Sequence, residues 1–508
     1  MRGDRGWPVL ALLCAAQFVL VLDVTIVAVA LPSVRGSLGF SAAGLQWVIS
    51  AYVLAFAGFL LVGGRAADLW GRRRLFMAGL AAFTGASAWC GLARASGELV
   101  AARAVQGTGA AIVTPAALSL LTTTFTEGAG RERALGVWTA AAAGGGATGF
   151  LLGGVLTQTL GWRAVFLVNV PVGVLGLLLS PVLLAEGRRR RPPSLDLAGA
   201  VTLTGAMSSL VYALSQVGRA GPASAATWPP LAAAVVLGGA FVARERRATH
   251  PLIPLDALRH RGLAGASLVA MLLTGVTTPV ALFSVLYVQD VLGSSPARAG
   301  VTVAPISVAV VVGSLAGARL AAAGRLGADR TMAAGLLGVT LGAGGLATMR
   351  VSGGLPPPMV AGFVLLGLGL GVASVASTAK GTAAVPAERQ GLASGVLNTA
   401  AQVGTALGLA VLVTVASART GALTPPGAQP SAAAVVDGYR WAILAGLAAT
   451  GALAASQGAR WRRAVPARGR PDGYALRRRF APLTRGGARR LVRYRSRRRP
   501  GGTGSSAA

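Results

Sequence analysis

Residues 8–31 read PVLALLCAAQFVLVLDVTIVAVAL, a run in which Asp23 is the one charged side chain. A helix rises about 1.5 Å per residue, so roughly 20 apolar residues cross a hydrocarbon core of about 30 Å. This stretch is long enough to span a bilayer as a helix. Arg2 and Arg5 precede it, and Ala28-Val29-Ala30 has the small-x-small form of a signal-peptide cleavage site. The length of the run, its interruption at Asp23 and the runs that follow favour a permanent anchor.

Working outward, similar runs lie near 44–64, 75–93, 99–122, 134–156, 164–184, 197–217, 228–243, 263–288, 299–318, 331–349, 359–379, 391–416 and 438–458, which makes fourteen, the eighth being short. The whole chain of 508 residues is 54% hydrophobic and 12% charged, with Gly at 72 positions, so a single soluble core accounts for it poorly. An all-α membrane protein is expected.

Orientation follows from the basic residues, which cytoplasmic loops collect. With the N-terminus inside, the inner segments hold 38 Lys and Arg and the outer segments hold 8, with Arg103 inside a span. Residues 459–508 alone carry 16 Arg against one acid, Asp472; without them the ratio is still 22 to 8. Both termini are expected in the cytoplasm, with the Arg-rich tail disordered against anionic head groups. The net charge of +32 sits between apolar runs and in this tail, not on one folded face, which argues against nucleic acid as a partner. Cys14 and Cys90 both fall inside apolar runs, where a disulfide framework is not expected.

An aspartate at mid-span costs about 2.5–3.5 kcal/mol on insertion scales, so a buried acid in such a chain is a functional candidate. Asp23 is the one acid well inside a run. It reads either as a structural acid bonded to a neighbouring helix or as a carboxyl that gains and loses a proton near neutral pH. Arg103, early in the fourth run, is the matching cation: it can pair with Asp23, sit on backbone carbonyls, or snorkel toward the helix end. Between the second and third runs, GRAADLWGRRR at 64–74 places Gly64, Asp68, Gly71, Arg72, Arg73 and Arg74 in a tight turn that can latch across helices or serve only as a basic loop. In the fifth run Gly149, Gly153 and Gly154 permit close helix approach. Gln46, Trp47, Tyr52, Gln106, Asn398 and Gln402 can line a cavity or bond helix to helix. No phosphate-binding GxxxxGK[ST] occurs, and His250 and His260 have no partners at metal-ligand spacing. The chain is therefore expected to be no enzyme, to hold no metal or cofactor, and not to draw energy from ATP bound to it.

These strings match a family pattern. LDVTIVAVALP at 22–32, GRAADLWGRRR at 64–74, LVAARAVQGTGAA at 99–111, GWRAVFLVNVPVG at 161–173 and GLASGVLNTAAQVGTALGLA at 391–410 occur in order and in the right runs. The chain resembles the 14-spanner drug:proton antiporters of the major facilitator superfamily, the EmrB/QacA type. The resemblance implies two six-helix bundles, residues 1–184 and 263–458, with two inserted helices within 185–262 and the tail 459–508 outside the fold. It implies a monomer in the cell membrane that rocks around a small-molecule site at the midplane, coupled to protons through Asp23 and Arg103. One proton moved through about 100 mV is worth roughly 2.3 kcal/mol, enough for an approximately 50-fold cargo gradient. One departure stands out: GATGFLLGG at 146–154 has Phe150 where the antiporter motif places proline, so the expected kink is in doubt while the glycines remain. Two other functions fit the same sequence, export of one specific metabolite and a membrane-anchored scaffold acting through its tail.

Overall fold

The computed structural model describes residues 6–125, 129–185, 196–220, 224–248, 260–322, 327–351, 354–385, 390–425 and 427–464. The Arg-rich tail from residue 465, the RRRR cluster of the inter-bundle join and His250 lie outside these residues. Inside α2, the side chain of Asp68 is likewise not described.

Each of the fourteen apolar runs falls on a helix. These are α1 (Gly6–Leu38), α2 (Trp47–Trp70), α3 (Arg72–Leu92), α4 (Ser96–Thr124), α5 (Ala129–Thr159) and α6 (Asn169–Leu183, preceded by the short turn Arg163–Leu167). Then come α7 (Leu197–Ala220), α8 (Trp228–Arg247), α9 (Arg261–Leu286, extended by a wider π turn over Tyr287–Val291) and α10 (Pro305–Ala322, preceded by Pro296–Val303). The last four are α11 (Ala328–Leu346), α12 (Pro357–Ala383), α13 (Gln390–Ala422) and α14 (Ala432–Ala464). The helices mostly outrun their apolar stretches, because backbone hydrogen bonds persist into the head-group zone where polar side chains are tolerated. Over the described residues ten are long and apolar enough to cross a membrane, while α2 and α7 carry shorter apolar stretches, Trp47–Leu60 and Ala198–Leu214. Trp7, Trp70, Trp89, Trp228 and Trp441 are exposed toward helix ends, as amphipathic rings at an interface would be.

Local chemistry sets the helix boundaries. Gly71 separates α2 from α3 with φ at 98°, a backbone conformation in which a Cβ would be strained. The Asp196 carboxylate accepts the Gly199 N–H at 2.9 Å and so caps α7. The α10 segment opens at Ser295, whose hydroxyl accepts the Arg298 N–H, with Pro296 in the first helical position where no donor is needed.

The packing repeats. α1 lies on α5 as α9 lies on α13; α2 on α4 as α10 on α12; α3 on α4 as α11 on α12. The two halves meet along α5 with α10 and along α2 with α13. The inserted helices α7 and α8 pair with each other, and α7 bridges the halves: it packs on both α2 and α13, and its Leu214 carbonyl accepts the Thr414 hydroxyl at 2.9 Å. In lipid the helices gain little from hydrophobic transfer between themselves, so close backbone contact through small residues does more of the work.

Candidate functional site

The N-terminal half buries an ionic cluster. Asp23 on α1 is fully buried and Arg103 on α4 is 1% exposed. Arg103 Nη1 donates to Asp23 Oδ2 at 2.5 Å and to Gln106 Oε1 at 2.6 Å, and its Nε donates to the Val48 carbonyl at 2.9 Å. The other carboxylate oxygen accepts two amides, Gln106 Nε2 at 2.9 Å and Asn169 Nδ2 at 2.8 Å. Both amides also donate to the Ser87 hydroxyl, at 2.9 and 3.0 Å, and that hydroxyl donates to the Phe166 carbonyl at 3.1 Å. The Tyr52 ring lies under the guanidinium, 4.3 Å from its carbon.

Five helices build this cluster, and their sequences explain how. Arg103 and Gln106 are three apart on α4, so both project from one side. Gly107 beside them has no Cβ, and one placed there would collide with the Tyr52 carbonyl, so α2 can approach closely enough for Val48 and Tyr52 to reach the arginine. The break between Arg163–Leu167 and α6 leaves the Phe166 carbonyl to Ser87 and puts Asn169 at the first position of the new helix. A buried ion pair this well bonded is stable only as a whole, since removing one partner from such a site costs roughly 3–5 kcal/mol. The snorkelling alternative for Arg103 is excluded by its burial, and both remaining alternatives are realised together, pairing with Asp23 and bonding to a backbone carbonyl.

The other residues singled out in the sequence divide. Gln106 and Tyr52 belong to the ionic cluster. Trp47 packs against Tyr212 of inserted helix α7, ring centroids 6.4 Å apart. Gln46 does line a cavity, described below. Asn398 is exposed and Gln402 half-buried, and neither lines a described cavity. Of the turn at 64–74, Gly64 faces Pro115 of α4, and Arg73 donates to the carbonyls of Leu184 at 3.2 Å and Pro181 at 3.5 Å. That contact ties α3 to the end of α6 inside one half.

The glycines of α5 act as close-approach points. A Cβ on Gly149 would collide with Thr25 two residues from Asp23, one on Gly153 would sit 2.7 Å from the Ile26 carbonyl, and one on Gly154 would sit 2.6 Å from the Pro296 carbonyl of the other half. Phe150 is buried, joining the hydrophobic core of the C-terminal half together with Ala28 and Val29. With no proline there, α5 runs unbroken from Ala129 to Thr159, so Phe150 keeps the hydrogen-bond ladder and its side chain extends the junction.

Sequence reasoning missed Ser87 and Asn169. Asn169 had a signal, as the lone amide in the apolar string FLVNVPVG; Ser87 had none, because serine is common wherever helices touch. Also missed was the pair Arg35–Asp290, whose members look like loop charges at the ends of two runs and meet at 3.0 Å.

Two pseudo-repeats of six helices, with a charge pair sealed in one of them and a cavity at their junction, are the architecture of a polytopic membrane transporter. The profile of the Major Facilitator Superfamily matches residues 13–409. Among curated proteins, the chain is 43% identical over 438 residues to the cephamycin export protein CmcT of Amycolatopsis lactamdurans, covering 81% of this chain and 85% of that one. It is 40% identical to the puromycin resistance protein pur8 of Streptomyces alboniger (86% and 88% covered) and 36% identical to the multidrug resistance protein Stp of Mycobacterium tuberculosis (80% and 75%). Among solved structures, a peptide transporter POT in complex with sulfate superposes with a TM-score of 0.66 at 16% identity, covering 90% of this chain and 94% of that one. A bacterial homologue of the lysosomal transporter Spinster superposes at 0.63 with 18% identity, covering 92% and 100%. The chain belongs to the Major Facilitator Superfamily. It is a multi-pass membrane transporter of small molecules.

Proposed function

We propose that the chain exports small lipophilic molecules, antibiotics among them, in exchange for protons, with both termini in the cytoplasm and no bound cofactor. The names of its relatives support export and resistance. The geometry that carries the coupling is the contest over one carboxylate. Asp23 as an anion accepts Arg103, Gln106 and Asn169 and so ties α1 to α4 and α6. A proton arriving on Asp23 removes the charge that holds the guanidinium, and a neutral carboxyl accepts the same donors with roughly half the strength. Arg103 is not stranded when this happens, because the Val48 carbonyl, Gln106 and the Tyr52 ring still satisfy it. α1 then loosens from α4 while its opposite side stays seated on the α5 glycines, and α5 in turn abuts the other half. Protonation is thereby converted into a change at the junction along which the halves rock.

The test is uptake into inside-out vesicles with an imposed pH gradient, using a fluorescent lipophilic cargo. Asp23→Asn is expected to lose proton-driven uptake into the vesicles while the protein still inserts. Full proton-dependent transport by that variant would remove Asp23 from the coupling role. A resistance screen in a pump-deficient host then separates broad export from export of one compound.

A further inference from the structure

A cavity of about 730 Å³ opens between the halves at the end of the molecule that carries Arg35, and none of the residues of the Asp23 cluster lines it. Its volume lies within the range of about 300–1,000 Å³ usual for small-molecule sites. Arg35, Gln46, Phe283, Thr420 and Tyr439 are among its lining residues, and Asp290 supplies the one carboxylate there. Half-buried Tyr439 presents an aromatic wall, with the fully buried Phe283 stacked behind it, centroids 5.0 Å apart with 21° between the ring planes. Facing that wall, Arg35 Nη2 from α1 donates to Asp290 Oδ2 at 3.0 Å. A neighbouring acid, Asp437, is already held by Arg419 at 2.6 Å and does not line the cavity.

The Arg35–Asp290 pair therefore has two identities at once. It closes a clasp between the halves, reinforced by Gln289 Nε2 donating to the Val29 carbonyl at 2.9 Å. It also forms part of the wall that a bound molecule would touch. The pair is open to water, with side-chain exposures of 38% for Arg35 and 23% for Asp290, so it is a weak bond that a second cation can contest. Once displaced, Arg35 has solvent to move into, whereas Asp290 stays at the cavity wall and needs a donor.

We propose that this cavity binds an organic ammonium carrying an aromatic or flat apolar group, and that the ammonium takes the place of Arg35 on Asp290. The apolar group lies on Tyr439, which Phe283 backs, with the charge within reach of the tyrosine ring face. Binding of such a cargo opens the clasp that holds α1 to the end of α9. A neutral molecule of the same shape fills the cavity and leaves the clasp shut. The proposal rests on the export reading for the direction of passage alone; occupancy of the cavity does not depend on it.

The test uses the full chain purified into lipid nanodiscs with no gradient, and two probes of equal shape, naphthylethylammonium and naphthylethanol, followed by equilibrium dialysis. Asp290→Asn is expected to weaken the ammonium by about tenfold, the worth of a charged hydrogen bond, and to leave the alcohol unmoved. Arg35→Gln removes the competitor and is expected to tighten the ammonium by about threefold. Asp290→Glu keeps the carboxylate and the preference for the ammonium. Equal loss of both probes in Asp290→Asn, unchanged ammonium binding in that variant, or weaker ammonium binding in Arg35→Gln each overturns the proposal. Should Asp290→Asn not fold, the direction of the Arg35→Gln shift decides the matter. Because no proton gradient is present, the result stands whether or not Asp23 couples transport to protons.

Discussion

The two halves share one packing scheme and differ in what they bury. In the N-terminal half, α3, α4, α6 and α1 enclose a carboxylate, a guanidinium, two amides and a hydroxyl. At the corresponding junction of α11 with α14, the C-terminal half has a hydroxyl pair, Thr340 donating to Thr450 at 3.0 Å. Among the described residues its other buried polar groups are Ser and Thr hydroxyls and Gln457, with no buried charge. Helix packing therefore requires small residues but not ions, and the ionic cluster is maintained in one half for a purpose that packing does not explain.

The comparison can be broken most directly at Arg103. Arg103→Ala leaves Asp23 buried without its cation and is expected to cost roughly 3–5 kcal/mol, read as a lowered Tm of the detergent-solubilised protein, whereas Asp23→Asn with Arg103→Gln together should cost clearly less than the two singly measured losses combined. A double change that adds up fully would mean that the pair is not coupled.

A smaller effect probes what the halves share. A Cβ at Gly145 would strike the Phe18 carbonyl of α1, and one at Gly404 would strike the Met271 carbonyl of α9, so the two positions are counterparts. Gly145→Ala and Gly404→Ala should each cost about 1–3 kcal/mol, in similar measure, by thermal unfolding. Unequal losses would show that the halves do not rely on the same close approach.

The smallest expected effect contrasts the two hydroxyl sites. Thr340→Val with Thr450→Val removes both partners of a neutral bond and should shift stability by less than about 1 kcal/mol with transport retained. Ser87→Ala removes the acceptor shared by Gln106 and Asn169 and should slow transport at unchanged protein level. Equal sensitivity of the two sites would erase the distinction between them.

What the sequence revealed follows from how each feature announces itself. Crossing helices were legible because the bilayer demands length and apolarity together, and these leave a long unambiguous trace. Asp23 and Arg103 were legible because a charge inside such a trace is costly. Their direct bond required the structure, since nothing in the spacing of residues 23 and 103 says which sides of α1 and α4 face each other. Ser87 and Asn169 stayed hidden because small neutral polar groups are inexpensive in helix contacts and therefore common. The clasp stayed hidden for the opposite reason: Arg35 and Asp290 sit where charges are expected, and only the fold brings ends 255 positions apart in the chain into contact.

The contact of α5 with the α10 segment has a mechanical meaning. Gly154 abuts the Pro296 carbonyl, and Gly300 abuts the Phe150 carbonyl, so the two halves touch there main chain to main chain with no long side chains interposed. Along this line two smooth surfaces can roll without dragging rotamers past one another. The proposed rocking of the halves would turn on this line, and a single methyl group added at either glycine would act as grit in the bearing.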